Sequence, residues 1–300
     1  MTNFTLRQLR YFEALVRLGH FGQAADACAI SQPALSMQIK NLEDHLGQRL
    51  FERGARTVTL TRFGATLLPH VRDVLRGVDT IGDKARTLRG GRLDQLRLGV
   101  IPTVAPYLLP AIIRNLTAEN PALDLQIRET VTQKLIGELT EGRLDAAIVA
   151  LPVSEPALQE MALFTEDFVL VRPLADASLP VPSRENLRAF RLLLLEEGHC
   201  FRDQALSFCN AGGAAPREIL EGSSLSTLVQ MVGAGIGVTL IPEMAIAVEV
   251  RSAPVAVARF EGEQPARTIG MVWRKSSGLA EQLRQVAQVV QHTARGTLFQ

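Results

Sequence analysis

Residues 21–64 read FGQAADACAISQPALSMQIKNLEDHLGQRLFERGARTVTLTRFG. A short helix can begin at Phe21 or Gly22 and run to about Cys28, with Ala24 and Ala25 small enough for a neighbouring helix to cross closely. Ser31 then reads as an N-cap with Pro33 in the first turn, and Leu35, Ile39, Leu42 and Leu46 form an apolar stripe that stops at Gly47. The opposite face carries Gln32, Ala34, Ser36, Met37, Gln38, Lys40 and Asn41. Two short helices joined by a tight turn, the later one small and polar at its N-terminal end, describe a helix-turn-helix whose second helix can enter a major groove. Gln and Asn can pair bidentately with adenine, and Ser can reach base edges or phosphate. Residues 49–60 alternate around Gly54 as a wing, placing Arg53 and Arg56 along a phosphate backbone. A plain three-helix bundle with a hairpin fits the same pattern.

Upstream, Thr5 and Gln8 make a capping box, and Leu6, Leu9, Phe12 and Val16 recur at helical spacing until Gly19 ends the helix. Downstream, Leu67, Val71, Val74, Val78, Ile81, Ala85 and Leu88 are separated by steps that alternate between 4 and 3. That is a heptad seam about three repeats long, which predicts a helix paired with a second copy and hence a homodimer; a helix packed on its own domain is the alternative. Pro69 is expected to kink or weaken its first part. A dimer also places two recognition helices one helical turn apart, as a pseudo-palindromic site requires.

The whole chain has 300 residues, 47% of them hydrophobic and 21% charged, a globular composition long enough for more than one domain. The net charge of +1 conceals an asymmetry: residues 1–95 hold 14 Lys+Arg against 9 Asp+Glu, and residues 96–300 hold 18 against 22. A basic front and an acidic rear fit two tasks, the first with nucleic acid. No apolar run reaches the ~18 residues of a membrane span, and the N-terminus lacks the order of a secretory signal, so the expected compartment is the cytoplasm. Cys28, Cys200 and Cys209 are too few for a disulfide framework.

The ordered run AA, SQPALSxQIxxLExxLGxxLFER and LTxxG resembles the N-terminal signature of LysR-type transcriptional regulators. The resemblance implies binding to double-stranded promoter DNA, with Gln32, Pro33, Ser36 and Lys40 on the DNA-facing helix and Arg53 and Arg56 in the wing. Beyond residue 95, short apolar runs (LRLGVI, LDLQIRE, LDAAIVAL, FVLVRPL, RLLLLEE, IGVTLIP) alternate with amphipathic helical stretches, the pattern of a parallel α/β sheet, and a last helix is expected from about Leu279 to Thr293. The segments GRLDAAIVA and VGAGIGVTLIP resemble the family's rear half, which implies two lobes like those of periplasmic binding proteins. The expected organisation is multi-domain: an all-α winged helix-turn-helix DNA-binding domain (1–60), a dimerising linker helix (61–88), a hinge (89–95) and an α/β regulatory domain (96–300). Its lobe I covers about 96–165 plus 268–300, and lobe II about 166–267. Ser223, Ser224, Ser226 and Thr227 precede a helix and are read as caps rather than as an effector site.

Residues 196–209, EEGHCFRDQALSFC, follow a strand-like LLLL run. Cys200 lies near a helix start beside His199 and close to Arg202, features that favour a thiolate. In a continuous helix, Cys200 and Cys209 would stand about 13 Å apart on opposite faces, whereas a disulfide needs Cα atoms within ~7 Å. A bond between them would have to break the helix and pull Phe201, Leu206 and Phe208 from their packing. By spacing alone, both cysteines are more often small buried hydrophobes; His199 beside Cys200 is a poor metal set, and the absence of C-x-x-C argues against a thiol oxidoreductase.

GHCFRDQALSFC, with IPTVAPYLLP, resembles the peroxide-sensing members of the LysR-type family. That narrower resemblance implies Cys200 as the peroxide-reactive thiol, Cys209 as its resolving partner, and Thr103, Thr132, His199, Arg202 and Asp203 around the peroxide, with Thr130 as the alternative to Thr132. It further implies a homotetramer that activates antioxidant genes with RNA polymerase and is reset by cytosolic thiol reductants, without cofactor or metal. Cys28 is read as a packing residue. The rival functions are a LysR-type regulator of a bound metabolite, its cysteines incidental, and a thiol peroxidase.

Overall fold

The computed structural model describes residues 4–52, 58–88, 93–183, 186–209, 219–262 and 264–298. The wing residues Arg53 and Arg56 and most of the expected hinge lie outside the described residues, as do the side chains of Ala85, Leu88 and Cys209. The chain divides into two compact units, Met1–Ala85 and Arg86–Gln300.

The first unit contains α1 (Leu6–Leu18), α2 (Phe21–Ala27), α3 (Gln32–Leu46) and most of α4 (Arg62–Leu88). The Thr5 side chain accepts from Gln8 N at 3.2 Å while Gln8 Oε1 accepts from Thr5 N at 2.9 Å, and Gly19 ends α1 at φ 63°. Ser31 caps α3 through Ala34 N, and α2 takes its cap from His20, whose Nδ1 accepts from Gly22 N at 3.1 Å. Leu9, Phe12, Leu15, Leu35, Ile39, Leu42 and Leu50 form the core between these helices. Glu43 accepts from Leu50 N and Phe51 N, fixing the exit from α3, and a single antiparallel bridge between Phe51 and Leu60 closes the base of the wing.

Helix α4 continues through Pro69. Pro69 and Ala65, the residue whose carbonyl loses its usual donor, are both exposed, so water can serve that carbonyl. The seam is divided along its length. Leu67 and Val71 pack into the unit's own core, Val71 at 3% exposure, whereas Val74 and Ile81 stand exposed at 48% and 69% and Val78 is half-buried.

The second unit is an α/β structure with one continuous sheet of order β2-β1-β3-β9-β4-β7-β5-β6. Its elements in chain order are β1 (Gln95–Val100), α5 (Ala105–Glu119), β2 (Asp124–Glu129), α6 (Thr132–Thr140), β3 (Ala146–Leu151) and β4 (Leu158–Pro173). There follow β5 (Leu192–Leu195), α7 (Cys200–Cys209), β6 (Ile219–Gly222), α8 (Leu225–Gly233), β7 (Val238–Pro242), α9 (Ile246–Glu249), β8 (Val255–Ala258), β9 (Ala266–Arg274) and α10 (Ala280–Leu298). Strands β1, β2 and β3 are parallel, as are β5, β6 and β7. The expectation of an all-parallel sheet fails at β4 and β9, which run antiparallel to each other and to their other neighbours. The reason is the crossover: β4 pairs with β9 over its first part and with β7 and β8 over its second, carrying the chain from one lobe into the other, and β9 carries it back.

Each lobe has its own core. One gathers Leu98, Ile148, Met271, Trp273 and Leu283; the other gathers Phe168, Leu193, Phe201, Leu228 and Leu240; Tyr107 packs against both. Helix α10 starts where expected and runs five residues further than Thr293. Ser224 caps α8 through Thr227 N, and Ser226 donates to Glu249, so these hydroxyls have structural partners. Among the described residues no helix is long and apolar enough to cross a membrane.

Gly64, in the quoted segment, lies where the backbone passes close by: a Cβ there would lie 2.3 Å from Leu50 O. At Gly77, on the same helix, a Cβ would meet nothing within 4 Å. We expect Gly64→Ala to destabilise this unit by about 1–3 kcal/mol through overpacking and Gly77→Ala to be neutral or stabilising through helix propensity. Amide exchange in α1, α2 and α3 measures both, and equal protection in the two variants would refute the contrast.

Candidate functional site

Strands β1 and β2 of one lobe and β5 of the other end toward one crevice. After β1 the chain turns through Ile101–Val104, after β2 it enters α6 at Thr132, and after β5 it turns at Gly198 (φ 95°) into α7 at Cys200. This is the position at the carboxyl ends of strands where open α/β sheets bind ligands. The walls are Ile101, Pro102, Thr103, Val131, Thr132, His199, Cys200 and Phe201.

Within the crevice Cys200 is a free, half-buried thiol. Thr132 Oγ1 is buried and has no hydrogen-bond partner among the described residues; Thr130 is not on the wall. The Thr103 hydroxyl accepts from Arg267 Nη1 at 2.7 Å, and its backbone oxygen accepts from Arg267 Nη2 at 3.0 Å. With one lone pair so engaged, the Thr103 O–H proton remains available for donation. His199 is half-buried; burial pushes its imidazole below the ordinary 6.5, with Glu196 opposing. It is therefore neutral at pH 7 and able to donate or accept a proton.

The two other residues expected around the peroxide do not line the crevice. Arg202 donates to Leu195 O at 3.0 Å and pairs with Glu221 at 2.6 Å, which ties the first turn of α7 to β5 and β6. Asp203 is exposed. The cation bonded to the crevice wall is instead Arg267 on β9, whose side chain is 0% exposed. Its guanidinium faces the Phe201 ring at 5.5 Å and the Phe168 ring at 5.9 Å, and Nε donates to Glu166 Oε1 at 2.8 Å. Arg267 and Glu166 escaped the sequence reading, although period-2 spacing carried a signal. Arg267 falls on the same strand face as Ile269, Met271 and Trp273, and Glu166 on that of Phe164 and Phe168, so a charge is placed where apolar residues belong.

In the first unit, Gln32, Pro33, Ser36 and Lys40 are all exposed along α3. Cys28 is half-buried against that unit's core, and burial pushes its thiol up.

Residues 6–65 match the model of the bacterial regulatory helix-turn-helix protein, lysR family, and residues 89–295 match that of the LysR substrate binding domain. The chain belongs to the LysR family of DNA-binding transcriptional regulators. Within it, the chain is 42% identical over 298 residues to a probable hydrogen peroxide-inducible genes activator of Streptomyces viridosporus, spanning 97% of this chain and 95% of that one. To the DNA-binding transcriptional dual regulator OxyR of Escherichia coli it is 40% identical over 289 residues, 95% of this chain and 94% of the other. Among solved structures, a full-length cysteine-to-aspartate form of OxyR from Pseudomonas aeruginosa matches with a TM-score of 0.72 at 35% identity, covering 97% of this chain and 95% of that one. A hydrogen peroxide-bound cysteine-to-serine mutant of Corynebacterium glutamicum OxyR matches with a TM-score of 0.67 at 36% identity, covering 98% and 94%. The chain is thus an OxyR-type regulator, a relative of the hydrogen peroxide-inducible gene activators.

The lowered His199 value fixes a sign. An unfolded chain takes up the proton first, so His199 makes stability fall as pH drops from 6.5 toward the folded-state value, and contributes no further change below it. The imidazole C–H resonances of His199, followed by NMR, should titrate below 6.5; a midpoint above it would show a charged histidine beside the thiol.

Proposed function

We propose that this protein senses hydrogen peroxide through a reversible Cys200–Cys209 disulfide that repacks the regulatory unit and alters promoter binding, activating antioxidant genes. The observation that carries this reading is the crevice, where a free thiol, an unpartnered buried hydroxyl at Thr132 and a Thr103 hydroxyl set by Arg267 converge. Two hydroxyls and a neutral imidazole suit a small molecule whose own groups are O–H.

The chemistry proceeds in two displacements. The Cys200 thiolate attacks one peroxide oxygen, the O–O bond breaks, and the leaving hydroxide takes a proton to become water, leaving a sulfenic acid. The Cys209 thiolate then attacks the Cys200 sulfur, the S–O bond breaks, and a second water leaves. Two thiols and one peroxide become one disulfide and two waters. Thr103 and Thr132 hold the peroxide, and His199 is placed to protonate the leaving oxygen.

The second displacement sets oxidation against helix α7. A continuous helix separates residues nine apart by about 13 Å, and a disulfide needs about 7 Å or less. Closure thus unwinds α7 and withdraws Phe201 and Phe208 from rings that lie 4.7 Å away at Phe168 and 5.1 Å away at Phe260. Cytosolic thiols reverse the bond. In this reading α3 contacts DNA through Gln32, Pro33, Ser36 and Lys40, and α4 pairs with a second copy through the exposed part of its seam within a homotetramer that acts with RNA polymerase.

Intact mass with thiol alkylation, before and after about one equivalent of hydrogen peroxide, tests the reading. We expect the loss of two hydrogens and a Cys200–Cys209 link, a gain of one oxygen in Cys209→Ser, and no reaction in Cys200→Ser. Slow oxidation scattered over Cys28 and the rest would sink it, and turnover of many equivalents with a thiol reductant would favour a peroxidase. For the seam, Ile81→Glu should weaken self-association about tenfold or more in sedimentation, since it places two carboxylates together across the interface. Unchanged association would remove Ile81 from the interface.

A further inference from the structure

Glu166 and Arg267 face each other in register across β4 and β9, at the point where both strands pass between the lobes. Both are buried, at 5% and 2% exposure. Glu166 Oε1 receives Arg267 Nε at 2.8 Å and Nη2 at 2.7 Å, while Oε2 receives Met244 N at 3.3 Å. This grip leaves Nη1 pointing at Thr103 Oγ1, on the wall of the thiol crevice. A buried arginine without its carboxylate would have neither a fixed orientation nor a countercharge.

We propose that Glu166 is a positioning residue for the peroxide reaction. It fixes Arg267 so that the Thr103 hydroxyl accepts from Nη1 and turns its own O–H toward the thiol. It also offsets the arginine's charge behind the crevice wall, where Arg267 holds Thr103 and faces Phe201, the residue after Cys200. The inference rests on the peroxide reading of the crevice.

The surrounding charges leave this role to Glu166. From α5 and the turn after β7, Tyr107 and Glu243 face it; the Tyr107 hydroxyl donates to Glu249 at 2.7 Å, and Glu243 is paired with Arg259. On the thiol's side, Arg202 is paired with Glu221 and His199 is neutral, with Glu196 near it. Arg267 is therefore the cation that bears on the crevice, and Glu166 is the anion that pairs with it. Burial pushes the Glu166 carboxyl up while Arg267 opposes.

The test measures the rate of Cys200 oxidation by hydrogen peroxide across pH in the full chain carrying Cys209→Ser, with and without Glu166→Gln. Glutamine keeps an oxygen for Arg267 and removes the charge, at the cost of the acceptor for Met244 N. With Arg267 unbalanced, thiolate forms at lower pH, while each thiolate becomes a weaker nucleophile, with a Brønsted slope near 0.4–0.5. For a displacement of about one pH unit the rate rises about threefold on the acid limb and falls about threefold on the alkaline plateau. The two profiles cross. Structural damage alone would lower the rate at every pH, and that result, or superimposable profiles, would overturn the proposal. Glu166→Leu, which removes grip as well as charge, should slow the reaction tenfold or more; as this variant can fail to fold, the isosteric one decides. If the parent reacts stoichiometrically but its profile ignores Glu166→Gln, only this inference falls. If the parent does not react, the peroxide reading falls with it.

Discussion

A guanidinium and a carboxylate, neither reached by water, hold the two lobes' connecting strands in one register at Arg267 and Glu166. Such a pair adds little net stability, because the desolvation of two ions consumes most of their attraction. Its effect is one of specification. A slip by one residue would turn both side chains to the other face of the sheet and leave Thr103 O, Thr103 Oγ1 and Met244 N without their partners. Removing one member alone would leave an unpaired buried charge, at a cost of about 3–5 kcal/mol. The strands, the lobe junction and the crevice wall therefore share one electrostatic constraint.

The same guanidinium lies against Phe201, the residue after Cys200, and so connects the junction to the first turn of α7. Phe201, Ala205 and Phe208 are buried and make α7 part of its lobe's core, while the turn before it is held by Arg202 on Leu195 O. In the proposed switch, reduced and oxidised forms are two packings of one segment, the first favoured by aromatic burial and the second by a covalent bond. Every ~1.4 kcal/mol by which the reduced packing is preferred raises the couple's potential by about 30 mV. On that proposal a well-packed α7 would yield a disulfide that thiols reduce readily, and a loose α7 one that persists.

Legibility in the sequence followed the range of the physics. Caps and periodicities are local, so Thr5, Ser31, Gly19 and the stripe Leu35, Ile39, Leu42 gave the first unit's helices nearly to the residue. The cap from His20 went unread because an imidazole acceptor is outside the usual capping set. The heptad was read as one seam, yet Val71 is used inside its own domain, a division that depends on what packs beside α4 and not on α4 itself. The antiparallel crossover strands could not be told from parallel ones, since buried strands look alike from within. Arg202 sat beside the thiol in sequence but found a stronger partner in Glu221, whereas Arg267, 67 positions beyond Cys200, reached the crevice wall. Motif proximity reports what is near along the chain, and electrostatic pairing is decided across it.

On the proposed reading, selectivity for a very small oxidant would follow from how little the crevice offers. Its polar groups are two hydroxyls, one imidazole and the thiol, and a hydroxyl can both give and take a hydrogen bond. Hydrogen peroxide presents two O–H groups and lone pairs on adjacent atoms, so Thr103 can donate to one oxygen while Thr132, unpartnered in its absence, engages the other. An alkyl hydroperoxide lacks the second O–H and adds a carbon group that must fit between Pro102, Val131 and Phe201. Such a site discriminates by an unmet hydrogen bond and by exclusion together, and an unmet buried hydrogen bond rejects more strongly than a missing methylene does. The rigidity this requires is supplied from behind, by Arg267 on Thr103 and by Glu166 on Arg267.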